Sequence, residues 1–205
     1  MIHLTQKGGL KATYFKTTNF QDPLANRNFF SHATNPGHFT QIDSSINFAP
    51  LEKQFPITTG QEYPTQYFSI RWEGFVEPLH TETYWFYVEA FKSSQFVLRL
   101  KGEVILQNLF SSTDVEPHSA FFKSKPVNLQ KGELVSITLE YFEMLGDSKI
   151  KLLWQSDSQP FGLVESAQLW HLLNSETTPY EFTVLPASTN ETTSFVADLP
   201  QVASA

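Results

Sequence analysis

The sequence predicts an all-β protein, namely an antiparallel β-sandwich with a long irregular excursion and a C-terminal extension. Apolar side chains recur at every second position in several short runs, and Gly, Pro, Ser and Asp residues separate these runs. Strands do not alternate with helical patterns, so a parallel sheet with crossover helices is not expected. With 205 residues, the chain is long enough for one large sandwich and a short appendage.

The first clear strands are two runs in the middle of the chain. In the earlier run every second residue is apolar, namely Phe68, Ile70 and Trp72. This is the pattern of a half-buried strand. The later run places on one face Tyr84, Phe86, Val88 and Ala90. Because its other face carries Trp85 and Tyr87, we expect this strand to be covered on both sides.

Two Lys-Gly-Glu segments mark turns between later strands. The first, at residues 101–103, separates two apolar runs and therefore predicts a β-hairpin. The second, at 131–133, precedes an alternating run over 135–141. The last clear strand covers 149–154 and has on its apolar face Ile150, Leu152 and Trp154.

Residues 20–64 have no regular period and contain several proline turns. We interpret this segment as a long excursion that packs on the sandwich rather than as a flexible loop. The side chains expected to pack are Phe29, Phe30, Phe39, Phe48 and Phe55. A short helix is predicted only for residues 165–173.

Several strand residues have predicted structural roles. Trp72 and Trp154 lie on apolar strand faces, so both indoles should be buried, with partners for their N–H groups. Gly74 should relieve a strand bend or bulge where a side chain would clash. Arg71 lies on the face opposite Trp72, which favours a salt bridge with a nearby carboxylate over contact with a substrate.

The composition argues against several classes of function. Fourteen basic residues are scattered among twenty-one acidic ones, for a net charge of −7, whereas phosphate binding needs clustered Lys and Arg. Nucleic acid and anionic membranes are therefore not expected as partners. The chain has no Cys, which excludes disulfides, thiolate zinc sites and cysteine nucleophiles. The sequence shows neither a signal peptide nor an apolar run long enough for membrane insertion.

Motifs for catalysis and cofactor binding are also missing from the sequence. The six His residues form no HExxH pair, and no GxSxG nucleophile motif or glycine-rich phosphate-binding motif occurs. We therefore predict no enzymatic activity, no metal site and no cofactor.

The order of the strand motifs resembles the protective-antigen-type (PA-fourteen) family. Residues 9–15 (GLKATYF) are similar to its opening strand, and 68–75 (FSIRWEGF) to its most recognisable motif. The strand at 83–86, the Lys-Gly turn at 131–132 and the strand at 150–154 follow in the order of the family. The resemblance covers residues 8–173 and implies one sandwich domain related to the jelly roll.

A second resemblance follows the sandwich. Residues 180–186 (YEFTVLP) are similar to the opening strand of a filamin-type immunoglobulin-like repeat. This resemblance implies that residues 174–205 contain a linker and the first strand of such a repeat, within a longer array of β modules. A disordered tail rich in Ser and Thr is the alternative.

The first resemblance also bears on ligand binding. Family members that bind sugars through calcium use adjacent aspartates, as hard oxygen ligands, in the loop after the tyrosine-x-phenylalanine strand. In this chain that loop, at 89–95, has no aspartate pair and carries Lys92. The resemblance therefore implies no calcium site here.

We expect a ligand to meet the module at its exposed end, in the loops 91–95, 109–118 and 144–148. The candidate contact residues are Phe91, Lys92, Ser93, Ser94, Gln95, Asp114 and Asp147.

The predicted function is a non-catalytic structural or protein-interaction module of a larger multidomain protein or assembly. The alternative is a calcium-independent carbohydrate-binding or adhesion domain that uses exposed aromatics such as Phe91. We expect a cytoplasmic or cytoskeletal setting, a ciliary one included, if Met1 is the native start. A cell-surface or extracellular setting is expected if the chain is a fragment.

Overall fold

A computed structural model describes residues 4–16, 39–49, 68–109, 119–143 and 148–173, which form two antiparallel β-sheets around a shared core. The predicted β-sandwich is therefore confirmed. The strands in chain order are β1 (Thr5–Lys7), β2 (Leu10–Lys16), β3 (Phe39–Asp43), β4 (Asn47–Phe48), β5 (Phe68–Val76), β6 (Glu82–Phe91), β7 (Gln95–Leu100), β8 (Glu103–Asn108), β9 (Ser119–Lys123), β10 (Val127–Leu129), β11 (Val135–Glu143), β12 (Ile150–Gln155), β13 (Gly162–Leu163) and β14 (Leu169–Leu172).

The larger sheet has the order β1-β14-β5-β11-β7-β8, and β2 also pairs with β5 and with β3. The smaller sheet has the order β10-β6-β12-β13, with β9 on β6 and β4 on β12. All of these pairings are antiparallel. The smaller sheet thus holds β6 at its centre, between β9 or β10 on one side and β12 on the other.

The core contains the alternating apolar residues that the sequence pattern predicts. Trp72 and Trp154 are 0% and 1% exposed, which confirms that both indoles are buried. Phe39 and Phe48 pack against the core as expected, whereas Phe29, Phe30 and Phe55 lie outside the described residues. The predicted filamin-type strand also lies outside them and stays a prediction.

The hairpin and the ion pair predicted from the sequence are both confirmed. Leu100 pairs with Glu103, so Lys101 and Gly102 form the two-residue turn. Their φ angles are +51° and +81°, the left-handed geometry that matches the twist of a hairpin. On the outer face of the larger sheet, Arg71 Nη2 lies 2.7 Å from Glu140 Oε1.

The predicted helix at 165–173 is wrong. The structure has a short 3-10 helix, Ser166–Gln168, followed by strand β14. Leu169 and Trp170 pair with Val76 and Phe75 of β5. Backbone pairing with β1 on one side and β5 on the other, together with the complete burial of Leu169, outweighs local helix propensity. The described residues contain no helix that is long and apolar enough to cross a bilayer.

Two further expectations need correction. The excursion at 20–64 contains strands β3 and β4, although the sequence shows no period there. Strand β3 pairs Asp43 with Leu10 and Gln41 with Ala12, so it turns polar side chains toward the interior. The alternation of apolar residues is therefore lost. Trp85 and Tyr87 are only half-buried, so the outer face of β6 is not fully covered.

Asp43 is the centre of a buried polar cluster between β2, β3 and β5. Tyr14 Oη and Trp72 Nε1 donate to Asp43 Oδ2 at 2.6 and 2.7 Å, and Gln41 Nε2 donates to Oδ1 at 2.5 Å. Burial raises the pKa of the Asp43 carboxyl, and these hydrogen bonds lower it only in part. The cluster therefore gives the buried Trp72 its expected partner, while burial, only partly offset by these hydrogen bonds, disfavours the charged form of Asp43.

We expect Asp43→Asn to gain stability relative to the wild type as the pH rises. Because the folded-state pKa of Asp43 is raised, the stability that protonation contributes is complete below the unfolded pKa and is lost as the pH rises through the folded-state pKa. Asparagine mimics the protonated carboxyl at every pH. Urea unfolding between about pH 3 and about pH 7 measures this difference, with the exposed Asp157→Asn as control. If the difference in unfolding free energy between Asp43→Asn and the wild type does not change with pH, the prediction is wrong.

Candidate ligand-binding site

The turn between β6 and β7 carries the candidate residues 91–95 and connects the smaller sheet with the larger one. Ser94 N donates to Phe91 O at 3.0 Å. Asn108 Nδ2 donates to Lys92 O at 3.2 Å and to Ser94 O at 2.8 Å. These bonds to β6 and β8 fix the backbone of the turn.

A buried hydrogen-bond cluster lies beneath this turn. Ser94 Oγ and Tyr141 Oη donate to Glu143 Oε2 at 2.7 and 2.6 Å, and the two hydroxyl oxygens are 3.2 Å apart. All three side chains are 0% exposed. Burial, and then the charge of Glu143, raise the pKa of Tyr141 well above its ordinary value, so its phenol stays a hydrogen-bond donor. The cluster ties the turn to β11 and is closed to solvent.

The structure divides the predicted site residues into three groups. Lys92 is exposed, and Phe91 and Ser93 are half-buried, so a ligand can reach these three side chains. Ser94 and Gln95 are buried, at 0% and 5% exposure, so their side chains serve the interior. Asp114 and Asp147 lie outside the described residues. Direct ligand contact stays a prediction.

A carboxylate of β6 close to the turn in sequence, that of Glu89, is already held by two lysines. Glu89 Oε1 accepts a hydrogen bond from Lys149 Nζ, and Glu89 Oε2 lies 3.2 Å from Lys151 Nζ. Burial raises the pKa of Glu89. The hydrogen bonds and charges of both lysines lower it by more than burial raises it, so the net shift is downward. Within the described ranges, no group of three His, Asp or Glu side chains could hold a metal ion.

Sequence reasoning missed a set of aromatic residues on the outer face of the smaller sheet. Phe121 of β9 and Phe161, which precedes β13, are 57% and 46% exposed. In β6, Trp85, Tyr87 and Glu89 alternate with core residues and face outward, and Phe91 is the next residue in this alternation. Phe91 therefore extends this face toward the turn. One signal was available in the sequence, namely Phe121, an apolar residue at an outward position of the short run 119–123.

Comparison with known proteins gives both a family and a fold. The family model described as "PA14 domain" matches residues 6–161. The anti-sigma-I factor RsgI3 of Acetivibrio thermocellus is 31% identical over 132 residues, which are 64% of this chain and 19% of that protein.

Two solved structures have the same fold. An anti-sigma factor domain-containing protein from Clostridium clariflavum has a TM-score of 0.58 at 22% identity, over 84% of this chain and 49% of that one. A PA14 sugar-binding domain from an RTX adhesin has a TM-score of 0.63 at 14% identity, over 81% of this chain and 99% of that one. This chain therefore spans a fifth to a half of the length of the anti-sigma proteins that it matches.

Proposed function

Because this chain belongs to the PA14 domain family, we propose that it is a non-catalytic module of a larger protein and binds a glycan without calcium. The proposed module extends over residues 8–173. A similar fold occurs in an RTX adhesin domain described as sugar-binding. A longer parent protein is supported by the anti-sigma-I factor relative, in which the matched part is 19% of the chain.

The observation that carries this proposal is the chemistry of the β6–β7 turn. Calcium needs several oxygen ligands, and carboxylates are the strongest of them. Lys92 exposes an ammonium group at this turn, and nearby Glu89 is paired with Lys149 and Lys151. Recognition here therefore depends on hydrogen bonds and aromatic contacts, and the proposed contacts in the turn are Phe91, Lys92 and Ser93.

The non-catalytic part of the proposal rests on the closed cluster beneath the turn. Ser94, Tyr141 and Glu143 would be the natural candidates for a nucleophile and an acid or base. All three are 0% exposed, and their hydrogen bonds hold them together. A general acid or base must come within hydrogen-bonding distance of its substrate, which these side chains do not allow.

A protein ligand is the second candidate. It is favoured by the 31% identity to an anti-sigma factor, a class of protein named for its action on another protein. In this case the module would contribute to protein assembly rather than to glycan recognition. Affinity capture from the source cell, compared with a glycan array, separates the two candidates.

We expect binding on a glycan array to be equally strong in excess EDTA and in added calcium, since the proposed site uses no cation. We also expect Lys92→Ala to weaken binding by about 2- to 10-fold, the usual effect of one lost hydrogen bond. The matched control is Lys131→Ala, an exposed lysine in the turn before β11. Loss of binding in EDTA contradicts calcium independence. Absence of glycan binding, together with capture of a defined protein, favours the second candidate.

A further inference from the structure

The outer face of the smaller sheet carries aromatic side chains from separate parts of the chain. Strand β6 buries every second residue in the core, so Trp85, Tyr87 and Phe91 lie on the outer face. In the β6–β9 pairing, Phe121 stands opposite Glu89, which shares this face. Phe161 joins the group from the segment between β12 and β13. We call the five aromatic residues of this group the aromatic face, namely Trp85, Tyr87, Phe91, Phe121 and Phe161.

Three rings of the aromatic face, those of Tyr87, Phe121 and Phe161, contact one another at defined angles. The Tyr87 and Phe161 centroids are 5.0 Å apart with an interplanar angle of 87°. The Phe121 and Phe161 centroids are 5.7 Å apart at 72°. Lys123 Nζ lies 4.9 Å from the Trp85 ring centroid and 5.8 Å from that of Tyr87. These are favourable edge-to-face and cation–π geometries. Together with Lys123 they join Trp85, Tyr87, Phe121 and Phe161 into one cluster.

Two rings of this cluster are about half open to water. Phe121 and Phe161 are 57% and 46% exposed, and the other large exposed apolar side chains of the described residues are aliphatic. Exposed apolar clusters rimmed by polar residues mark binding surfaces.

Hydrogen bonds hold the turn that precedes Phe161. Phe161 follows a turn at 156–159 that is closed by a bond from Ser156 N to Gln159 O at 3.0 Å. The Glu82 carboxylate accepts hydrogen bonds from Ser158 Oγ and from Ser158 N, the latter at 3.0 Å. Bonds from Ser158 and Ser156 lower the pKa of Glu82 to about 2, so this anchor is charged at neutral pH. A turn held in this way loses little conformational entropy on binding.

The polar groups on this face favour a glycan over a protein as the ligand. The rings are interleaved with Lys123, Lys151 and Glu89, and Tyr87 Oη donates to Gln155 Oε1 at 3.1 Å. The cores of protein interfaces are depleted in Lys and Glu. A sugar ring, in contrast, has an apolar face of C–H groups and a rim of hydroxyls, which fits apolar surface beside charged hydrogen-bonding groups.

We propose that the aromatic face is a binding platform for an extended chain of pyranose units. The sugar faces pack on Phe121 and Phe161, and their hydroxyls bond to Lys123, Lys151 and Gln155. This inference rests on the proposed glycan binding and names the surface and the class of ligand. Because the rings lie on a sheet face rather than in an enclosed cavity, the platform takes internal units of a polysaccharide as well as chain ends.

The test compares the wild type with the double variant Phe121→Ala, Phe161→Ala. Affinity electrophoresis and calorimetry are run on soluble β-glucan, xylan, mannan and alginate, which include neutral and acidic chains. We expect the double variant to bind the preferred polysaccharide about tenfold more weakly or worse, with only a small drop in melting temperature, because about half of each ring is exposed. The matched control is Ile42→Ala with Leu172→Ala, two apolar residues of the larger sheet that are 45% and 42% exposed, and it should bind like the wild type.

A second readout follows the aromatic face directly. Polysaccharide should change the tryptophan fluorescence of the wild type but not that of Trp85→Phe, since Trp72 and Trp154 are buried and the half-buried Trp170 lies on β14 of the larger sheet. If the wild type binds a glycan and the double variant binds it equally well, the platform is overturned while glycan binding stands. If the wild type binds none of these polysaccharides and no array glycan, both proposals fail. Capture of a protein through Phe121 and Phe161, without glycan binding, also overturns the platform.

Discussion

Gly74→Ala is expected to destabilise the protein by about 3 kcal/mol, the upper range for an overpacked core. A Cβ at this position would lie 2.1 Å from the backbone oxygen of Trp170 and 2.7 Å from Leu10 Cδ2. The first contact is with backbone, so it cannot be relieved by a change of rotamer. β14 would have to move away from β5, and the pairing between Trp170 and Phe75 would be lost. The sequence prediction that a side chain at Gly74 would clash is thereby confirmed.

Two other glycines provide matched controls for this effect. The Cβ of Gly162→Ala would have only one ordinary contact, at 3.9 Å, so its effect should stay within about 0.5 kcal/mol. Gly102→Ala meets open space, but its φ of +81° should cost about 1 kcal/mol. Urea unfolding should therefore show the smallest loss of stability for Gly162→Ala, a larger loss for Gly102→Ala and the largest for Gly74→Ala. If Gly74→Ala is as stable as Gly162→Ala, β14 does not approach β5 as closely as the structure shows.

Much of the fold could be predicted because burial follows the side-chain period. Strands β5, β6, β11 and β12 show alternation that is visible in the sequence, and the Lys-Gly turn specifies its hairpin. β3 escaped prediction because Gln41 and Asp43 point inward, where they bond to Tyr14 and each other. β14 escaped prediction because its strand conformation depends on pairing with β5. The partner strand is not visible in the local sequence.

The candidate site was less predictable, since it depends on contacts between distant residues. The loop at 91–95 could be found as a turn between two strands, and Lys92 is exposed there as expected of a charged turn residue. Ser94 also looks like a solvated turn residue, yet residues 47 and 49 positions away bury it. Phe121 and Phe161 are 40 positions apart in the sequence, and only strand pairing brings their rings together.

Trp72→Ala is expected to be the most destabilising single change in the core, at about 3–5 kcal/mol for the lost packing. Trp72 is 0% exposed, its ring stacks 5.9 Å from that of Phe48, and its indole N–H donates to Asp43 at 2.7 Å. The same change leaves the buried Asp43 carboxylate with one donor fewer, which adds about 1 kcal/mol or more. Urea unfolding measures the total, and loss of near-ultraviolet circular dichroism reports the loosened core.

Two further variants separate volume from hydrogen bonding at Trp72. Trp72→Phe keeps most of the ring volume but removes the donor to Asp43, so we expect a cost of about 1–3 kcal/mol. Trp170→Ala is the matched control. Its indole is half-buried, it donates to Glu77 at 2.9 Å, and it should cost less than half as much as Trp72→Ala. If Trp72→Phe is as damaging as Trp72→Ala, the hydrogen bond to Asp43 outweighs the packing of the ring. If Trp170→Ala lowers the free energy of unfolding as much as Trp72→Ala does, burial of the indole does not determine the cost of removing it.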